Sequence, residues 1–326
     1  MTISTARAEA RPSEVAATVA CDVCGATRAH AVIETPELRF GLAGTFEVVR
    51  CALCGLLRTE PQPADLDSYY PSGDYYSYQT PSPPSPMTRA RVLGAYGIPS
   101  GGPRWRDRLA GLARSRMLPG LPPGPPGAIL DVGCGSGAFL LALQQAGWEC
   151  HGIEIEASAV AAAHAAGLQG VQAGELHDAG YADERFDAIR FWHVLEHVRS
   201  PRAELTEACR VLRPGGSLTI GVPHAGSLLF RVAREQWYYL DVPRHLWHFD
   251  RHSLTRLVTE CGFELTRIRL VSTGSAIAGT LGYMTARGER LVRNRPVWYA
   301  ALPIASLLDR LGHGDAIELT AVRTKT

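Results

Sequence analysis

The fold of this chain is decided by the stretch Leu130-Asp131-Val132-Gly133-Cys134-Gly135-Ser136-Gly137. The apolar run AILDV at 128–132 leads into it, and a run of helix-forming residues that ends on a glycine, AFLLALQQAG at 138–147, follows it. We therefore predict a strand, a tight glycine turn and a helix. Glycine is needed where the backbone approaches a ligand closely or adopts a positive φ, so the turn is a candidate binding site. The spacing also fits the dinucleotide pattern G-x-G-x-x-G/A, which leaves the cofactor class open at this point.

Strand-like and helical segments alternate from residue 128 onward. Strands are predicted at 149–155, 186–192 and 217–223, with helices between them. Two further strand-like segments, ELTRIRLVS and AIELTAVRT, follow. Such alternation is typical of a parallel sheet with helices on both faces, so the predicted fold class is α/β and doubly wound.

Acidic residues around the glycine turn favour one class of cofactor. Asp131 would repel a pyrophosphate, whereas S-adenosylmethionine has no phosphate and carries an ammonium and a sulfonium that a carboxylate attracts. Glu154 ends the next predicted strand, about 20 residues further on, where an acidic residue binds ribose hydroxyls. Either class of cofactor presents ribose hydroxyls at the position of Glu154, so Asp131 is the residue that favours S-adenosylmethionine, and an NAD-dependent oxidoreductase is kept as an alternative.

Three downstream blocks complete a family resemblance: Phe186-Asp187, then WHVLEHV at 192–198, then VLRPGG at 211–216. Together with the glycine turn they resemble, in order and spacing, the class I S-adenosylmethionine-dependent methyltransferases over residues 127–326. The resemblance implies a Rossmann-like, seven-stranded doubly wound sheet with an antiparallel hairpin at its edge. It also implies that the cofactor binds at the carboxyl ends of the strands.

The same resemblance implies a set of cofactor-binding positions. One group lies against the methionine end, a second against the ribose and adenine, and a third beside the methyl group. In that order the positions are Asp131, Gly133 and Gly135; Glu154, Ile155, Glu175 and Leu176; and Trp192 and His193.

Four cysteines near the N-terminus are predicted to bind zinc. They form two C-x2-C pairs, Cys21 with Cys24 and Cys51 with Cys54, and a glycine follows each pair. Each pair lets two thiolates reach one ion, and two pairs complete a tetrahedral site. Because protein ligands fill all four positions, the ion would be structural.

The cysteine module precedes a proline- and arginine-rich stretch, which we predict to be a linker. The expected division is a disordered lead-in (1–20), a zinc-binding module (21–80), a linker (81–126) and the methyltransferase domain (127–326). A CxxCG…CxxCG module before such a domain resembles the nucleotide-deoxysugar C-methyltransferases. If the linker separates two cores, Cys51→Ser should unfold only the module and leave cofactor binding intact.

The segment 236–249 is predicted to cover the methyl donor. It is rich in aromatic and titratable residues, as a substrate pocket should be. In the C-methyltransferases that the chain resembles, a Glu-His pair before an aromatic segment supplies the base. His245 matches that histidine and is therefore the candidate catalytic base, while Arg244 replaces the glutamate. Arginine at this position suits an anionic substrate group such as a phosphate or a carboxylate.

Composition restricts the partners. The formal net charge is +1, so no overall field favours nucleic acid, although an RNA methyltransferase that contacts RNA through its zinc module is kept as an alternative. The expected location is the cytoplasm, because the sequence shows neither an apolar signal core nor an apolar run that could span a bilayer. The segment 273–314 combines an arginine cluster with an apolar run. The sequence leaves three roles open for this segment: a lid, a dimer contact, and peripheral membrane contact through 287–312.

We therefore predict a methyltransferase that uses S-adenosylmethionine and contains a structural zinc ion. Its predicted substrate is a small molecule: a saccharide, a sugar nucleotide or a related secondary metabolite. The sequence leaves open the oligomeric state and whether oxygen, nitrogen or carbon receives the methyl group.

Overall fold

The computed structural model describes residues 14–16, 19–70, 86–96, 98, 120–285, 290–291 and 294–325. The strands are β1 (Glu14–Ala16), β2 (Arg28–Pro36), β3 (Thr45–Cys51), β4 (Leu57–Glu60), β5 (Ala128–Val132), β6 (Glu149–Glu154), β7 (Val171–Ala173), β8 (Phe186–Trp192), β9 (Leu212–Pro223), β10 (Trp247–His248), β11 (Phe263–Val271) and β12 (Ala316–Arg323). The α-helices are α1 (Pro86–Ala95), α2 (Ala138–Gln144), α3 (Ala157–Ala165), α4 (Pro201–Val211), α5 (Leu228–Ala233), α6 (Arg251–Glu260), α7 (Gly274–Met284) and α8 (Arg295–Arg310). Short 3-10 helices span Asp67–Tyr69, Leu176–Asp178 and Arg234–Gln236.

Seven strands form the larger sheet, in the order β11-β12-β9-β8-β5-β6-β7. Neighbouring strands from β5 to β9 are parallel, while β12 is antiparallel to both β9 and β11. The central strands are apolar because helices cover both faces, and all five residues of β5 are buried. This arrangement confirms the predicted Rossmann-like, doubly wound sheet with an antiparallel edge.

Two glycines of the turn after β5 have no room for a side chain. Gly133 has a φ of +68°, and a Cβ there would lie 2.4 Å from Val194 Cγ2. Gly137, with a φ of +79°, is the N-cap of α2, and a Cβ there would lie 2.3 Å from Leu168 Cδ1. Glycine at these positions therefore lets the chain turn directly above the carboxyl end of β5, as the sequence predicts.

The smaller sheet joins the N-terminal module to the α/β part of the chain. Its strand order is β1-β2-β3-β4-β10, and β10, which follows β9 in sequence, pairs with β4 so that Trp247 lies opposite Arg58. Cys51 and Leu56 of the module lie in one buried core with Phe249. The predicted separation of two cores is therefore wrong, because the two parts share a sheet and a core.

Two segments predicted to lack structure contain regular elements. β1 lies within the expected disordered lead-in, 1–20, and pairs with β2. α1 lies within the expected linker, 81–126, and its Val92 and Leu93 are buried in a core with Leu140. Residues 99–119 of that linker lie outside the described residues. The prediction of a structureless linker from its prolines is wrong at α1. Pro86 occupies the first helical position, where no amide hydrogen is required.

The helices α7 and α8 form the insertion between β11 and β12. Ala301 of α8 is buried in a small core with Ile277 of α7. Another side of α8 exposes apolar side chains, among them Tyr299, which is 69% exposed, and Leu307, which is 56% exposed. The arginine cluster that precedes α8 lies largely outside the described residues. In the described part of the chain, no helix is long and apolar enough to cross a membrane.

Candidate functional site

A cleft of about 520 Å³ lies at the carboxyl ends of β5, β6, β7 and β8. In parallel sheets of this kind, ligands bind at that edge, and clefts of about 300–1,000 Å³ hold small molecules. Residues 64–67 and Tyr70, which belong to the predicted module at 21–80, also line the cleft. The site is therefore built by both parts of the chain.

Six of the predicted cofactor positions line this cleft. They are Gly133, Glu154, Ile155, Glu175, Leu176 and His193. Glu154 is held in place by two backbone amides, because its Oε2 accepts a hydrogen bond from the Gly135 amide at 2.8 Å and its Oε1 accepts one from the Glu156 amide at 3.1 Å. Ile155 is 62% exposed, so it offers an apolar surface to a ring. This arrangement suits a ribose and an adenine.

Three predicted cofactor residues do not line the cleft, and the structure gives a reason for each. Asp131 is buried, and both of its carboxylate oxygens accept hydrogen bonds from Arg190 Nη1, at 2.8 and 3.0 Å. Arg190 thus balances the charge that was expected to attract the cofactor. Trp192 packs against Gly221 instead, where a Cβ would lie 2.6 Å from the indole ring. The Gly135 amide donates to Glu154, so its role is to position that side chain.

A histidine and a glutamate form a pair at the end of β8. His193 lines the cleft, and its Nδ1 lies 3.2 Å from Oε1 of the fully buried Glu196. His193 has a φ of +56°, an uncommon backbone conformation outside glycine that often marks functional positions. Its ring also stacks on Tyr239, with centroids 5.9 Å apart. A carboxylate on one ring nitrogen leaves the other nitrogen as a proton acceptor, which is the arrangement of a general base.

Sequence reasoning missed two neighbouring residues of the same wall. The hydroxyl of Tyr70 lies 2.8 Å from Nδ1 of His197, and both residues line the cleft. Burial and, to a smaller extent, the neighbouring His245 lower the pKa of His197 to about 4. The aromatic run that begins at Tyr69 was the available signal for Tyr70, since such runs often line substrate pockets.

A buried carboxylate, Glu204, also lines the cleft and was not predicted. Burial and, to a smaller extent, the neighbouring Glu175 raise the pKa of Glu204 to about 7. It therefore adds a titratable group near the expected adenine side of the cleft.

The two predicted catalytic residues lie outside the cleft wall. Arg244 is fully buried and makes ion pairs with Asp241 at 2.6 Å and with Glu37 at 2.5 Å. Its Nη1 donates to the backbone oxygen of Tyr69 at 2.9 Å. The proposed role in holding a substrate anion is wrong, because these contacts use the guanidinium to connect the two parts of the chain. His245 is buried behind His197, with ring centroids 4.6 Å apart, so it does not reach the cleft as a base would.

The four cysteines of the N-terminal module lie together. Their sulfur atoms are all within 4.8 Å of one another, and the Cys21–Cys54 and Cys24–Cys51 sulfur pairs are each 3.4 Å apart. All four are free thiols. A tetrahedral zinc site with zinc–sulfur bonds of about 2.3 Å has sulfur–sulfur distances of about 3.8 Å, so the cluster fits such an ion.

Comparison with known proteins identifies the family. A family model described as a methyltransferase domain matches residues 104–268. The chain belongs to this methyltransferase family. The enzyme therefore carries out methyl transfer from S-adenosylmethionine, in agreement with its fold and the position of its cleft.

The match to each relative covers only part of that relative's length. The enzyme is 37% identical over 166 residues to an uncharacterized 37.1 kDa protein of transposon TN4556 from Streptomyces fradiae, a match that covers 48% of this chain and 46% of that protein. It is 30% identical over 177 residues to the ubiquinone biosynthesis O-methyltransferase of Aromatoleum aromaticum, covering 50% of this chain and 70% of the relative. Among solved structures, an S-adenosylmethionine-dependent methyltransferase from Thermotoga maritima is 20% identical with a TM-score of 0.44, covering 65% of this chain and 87% of that chain.

Glu154 is expected to contribute strongly to cofactor affinity. We predict that Glu154→Gln weakens the binding of S-adenosylhomocysteine about tenfold or more, because hydrogen bonds between a carboxylate and ribose hydroxyls contribute about 1.5–3 kcal/mol each. Isothermal titration calorimetry measures the change. Glu149→Gln is the matched control, since Glu149 lies at the opposite end of the same strand and is exposed. Equal affinity in the two variants would show that the cofactor lies elsewhere.

Proposed function

We propose that this enzyme methylates a hydroxyl group of a saccharide, a sugar nucleotide or a related secondary metabolite, with His193 as the proton acceptor. The observation that carries the proposal is the His193–Glu196 pair in the wall of the cleft. The polar residues that line the cleft support a substrate with many hydroxyls, because they include both carboxylates and hydrogen-bond donors. These residues are Asp65, Asp67, Tyr70, His177, Arg199, Ser200 and Glu204. The resemblance of the cysteine module to that of the deoxysugar C-methyltransferases supports the same substrate class.

Glu196 and His193 have different roles in proton transfer. Glu196 Oε1 accepts the hydrogen of His193 Nδ1, which leaves Nε2 as the basic nitrogen of a side chain that lines the cleft. S-adenosylmethionine supplies an electrophilic methyl group on its sulfonium. When the acceptor oxygen takes that methyl group, the electrons of the carbon–sulfur bond stay on sulfur and the hydroxyl proton goes to His193 Nε2. Positioning of the two reactants in one cleft supplies much of the acceleration.

We also propose that Cys21, Cys24, Cys51 and Cys54 hold one structural zinc ion. The support is the fit of four free thiols within 4.8 Å to a tetrahedral site. Four protein ligands leave no coordination position for substrate. The ion would therefore stabilise the module that supplies residues 64–70 to the cleft.

A lipophilic acceptor is the second candidate, and one surface favours it. α8 exposes Leu302, Ile304 and Leu307, each at least 48% accessible to solvent, and its last residue, Arg310, is also exposed. Apolar side chains beside basic ones are typical of contact with a membrane surface. Ubiquinone and demethylmenaquinone methyltransferases are among the relatives of this chain. Under this alternative the substrate would be a phenol or quinol dissolved in the bilayer.

One assay separates the two candidates. The enzyme is incubated with labelled S-adenosylmethionine and either a sugar-nucleotide mixture or a quinol in anionic phospholipid vesicles, and products are identified by mass spectrometry. We expect label in the sugar fraction, with transfer that does not require vesicles. Label only in the quinol, together with flotation of the protein with vesicles that Leu307→Glu abolishes, would replace the proposed substrate by the second candidate. Leu53→Glu is the control for flotation, because Leu53 is 71% exposed and lies in the cysteine module, away from α8.

A further inference from the structure

We propose that Glu196, His197 and His245 form a binding site for a divalent transition-metal ion, separate from the cysteine cluster. Each of the three side chains offers one ligand atom, and these atoms all lie within 4.8 Å of one another. The group lies behind the cleft wall, and only His197 of the three lines the cleft. The proposal does not depend on which acceptor the enzyme methylates.

Backbone carbonyls fix the tautomers of both histidines. Nδ1 of His245 lies 2.8 Å from the backbone oxygen of Tyr239. Nδ1 of His197 lies 3.0 Å from the backbone oxygen of Arg244 and 2.8 Å from the Tyr70 hydroxyl, whose oxygen can also accept a hydrogen bond. A carbonyl oxygen can only accept a hydrogen bond, so each Nδ1 carries the hydrogen and each Nε2 keeps its lone pair. Histidines that bind metals are oriented in this way, with the second ring nitrogen donating to a carbonyl or a carboxylate.

The third ligand has an oxygen without a partner. Glu196 is fully buried, and its Oε1 lies against His193, whereas its Oε2 has no hydrogen-bond partner among the described residues. Burial of an unsatisfied carboxylate oxygen is unfavourable, because the oxygen loses its hydrogen bonds to water and gains none in the protein. The cluster thus combines two imidazoles with this carboxylate, and a second carboxylate oxygen, Oδ2 of Asp241, lies 3.9 Å from Nε2 of His245. A cation supplies the missing positive charge and satisfies all three lone pairs.

The donor set indicates which ions the site would take. Two imidazole nitrogens and one carboxylate suit Zn²⁺ and Fe²⁺, whereas Mg²⁺ and Ca²⁺ prefer oxygen ligands alone. Three protein ligands leave a coordination position open, in contrast to the four-sulfur cluster. Because His197 is the ligand nearest the cleft, that open position is the one available to water or to an oxygen of the substrate.

Metal counting on the full chain tests the proposal. The protein is loaded with Zn²⁺, freed of unbound ion, and analysed by inductively coupled plasma mass spectrometry. We expect two equivalents of zinc in the wild type, one of them in the cysteine cluster, and a single equivalent in His245→Gln. His224→Gln is the matched control, because His224 is also buried and its Nδ1 lies 2.9 Å from the backbone oxygen of Gly314. This control should keep both equivalents.

A second measurement needs no variant. Cobalt loaded into the wild type should show thiolate charge-transfer absorption from one equivalent, and a second equivalent should add only bands of nitrogen and oxygen coordination. A wild type that saturates at one equivalent by both methods would overturn the proposal. In that case, nitrogen NMR of the imidazoles should reveal a protonated ring beside Glu196, so that a proton rather than a metal ion satisfies the cluster. Both measurements read out metal, so they are independent of whether a methylated sugar is ever found.

Discussion

Replacement of Cys51 by serine is expected to destabilise the whole enzyme, not the N-terminal module alone. Cys51 is 2% exposed and lies in the same core as Trp247 and Phe249, which belong to the α/β part of the chain. The binding of a structural zinc ion contributes about 10–16 kcal/mol to the folding of small zinc modules, whereas total stabilities are about 5–15 kcal/mol. The loss of one ligand should therefore lower the melting temperature by more than about 10 °C.

The same variant should lose affinity for S-adenosylhomocysteine, because residues 64–67 and Tyr70 of the module line the cleft. Calorimetry and thermal unfolding check both effects, and zinc removal by a chelator should reproduce them. Cys209→Ser is the control, since Cys209 is a half-buried thiol of α4 outside the cluster. A variant that lost only the module and kept full cofactor affinity would mean that the shared sheet contributes little to stability.

The parts of the site that the sequence could predict are those set by local geometry. The glycine turn is an example, because the apolar strand, the glycines with positive φ and the following helix all lie within residues 128–144. Glu154 was predictable for the same reason, since it ends the strand beside β5 and reaches back to the turn. The cysteine spacing likewise brings two pairs of sulfur atoms together through short turns.

The errors concern residues whose partners come from distant parts of the chain. Arginine is a typical anion-binding residue, but the carboxylate partner of Arg244 is Glu37, which lies 207 positions away in the module. Asp131 was assigned to the cofactor, and its partner Arg190 lies 59 positions away on β8. A single sequence does not show such pairings, because an ion pair depends on register and topology and leaves no local pattern. β10 has only two residues, which are too few to predict a strand. Its pairing with β4 nevertheless joins the α/β part of the chain to the N-terminal module.

Removal of the imidazole at position 193 should nearly abolish turnover. A positioned general base contributes about 10²–10⁴-fold to the rate, so His193→Ala should lower kcat by about that factor. Affinity for S-adenosylhomocysteine should change little, since the expected ribose contact of the cofactor is with Glu154, which this substitution retains. His177→Ala is the matched control, because His177 also lines the cleft but is exposed and lies beside Glu175 and Asp178.

Rate and binding measurements on these variants distinguish a base from a packing residue. A base acts on the bound substrate, so its loss lowers kcat and leaves the KM for the acceptor nearly unchanged. A packing residue would change the melting temperature, the KM and kcat together. The metal content of His193→Ala should equal that of the wild type, because Glu196, His197 and His245 are all retained. If His193→Ala keeps wild-type turnover on the identified acceptor, the proton must leave through another group, and Tyr70, whose hydroxyl lies 2.8 Å from His197, is the next residue to replace.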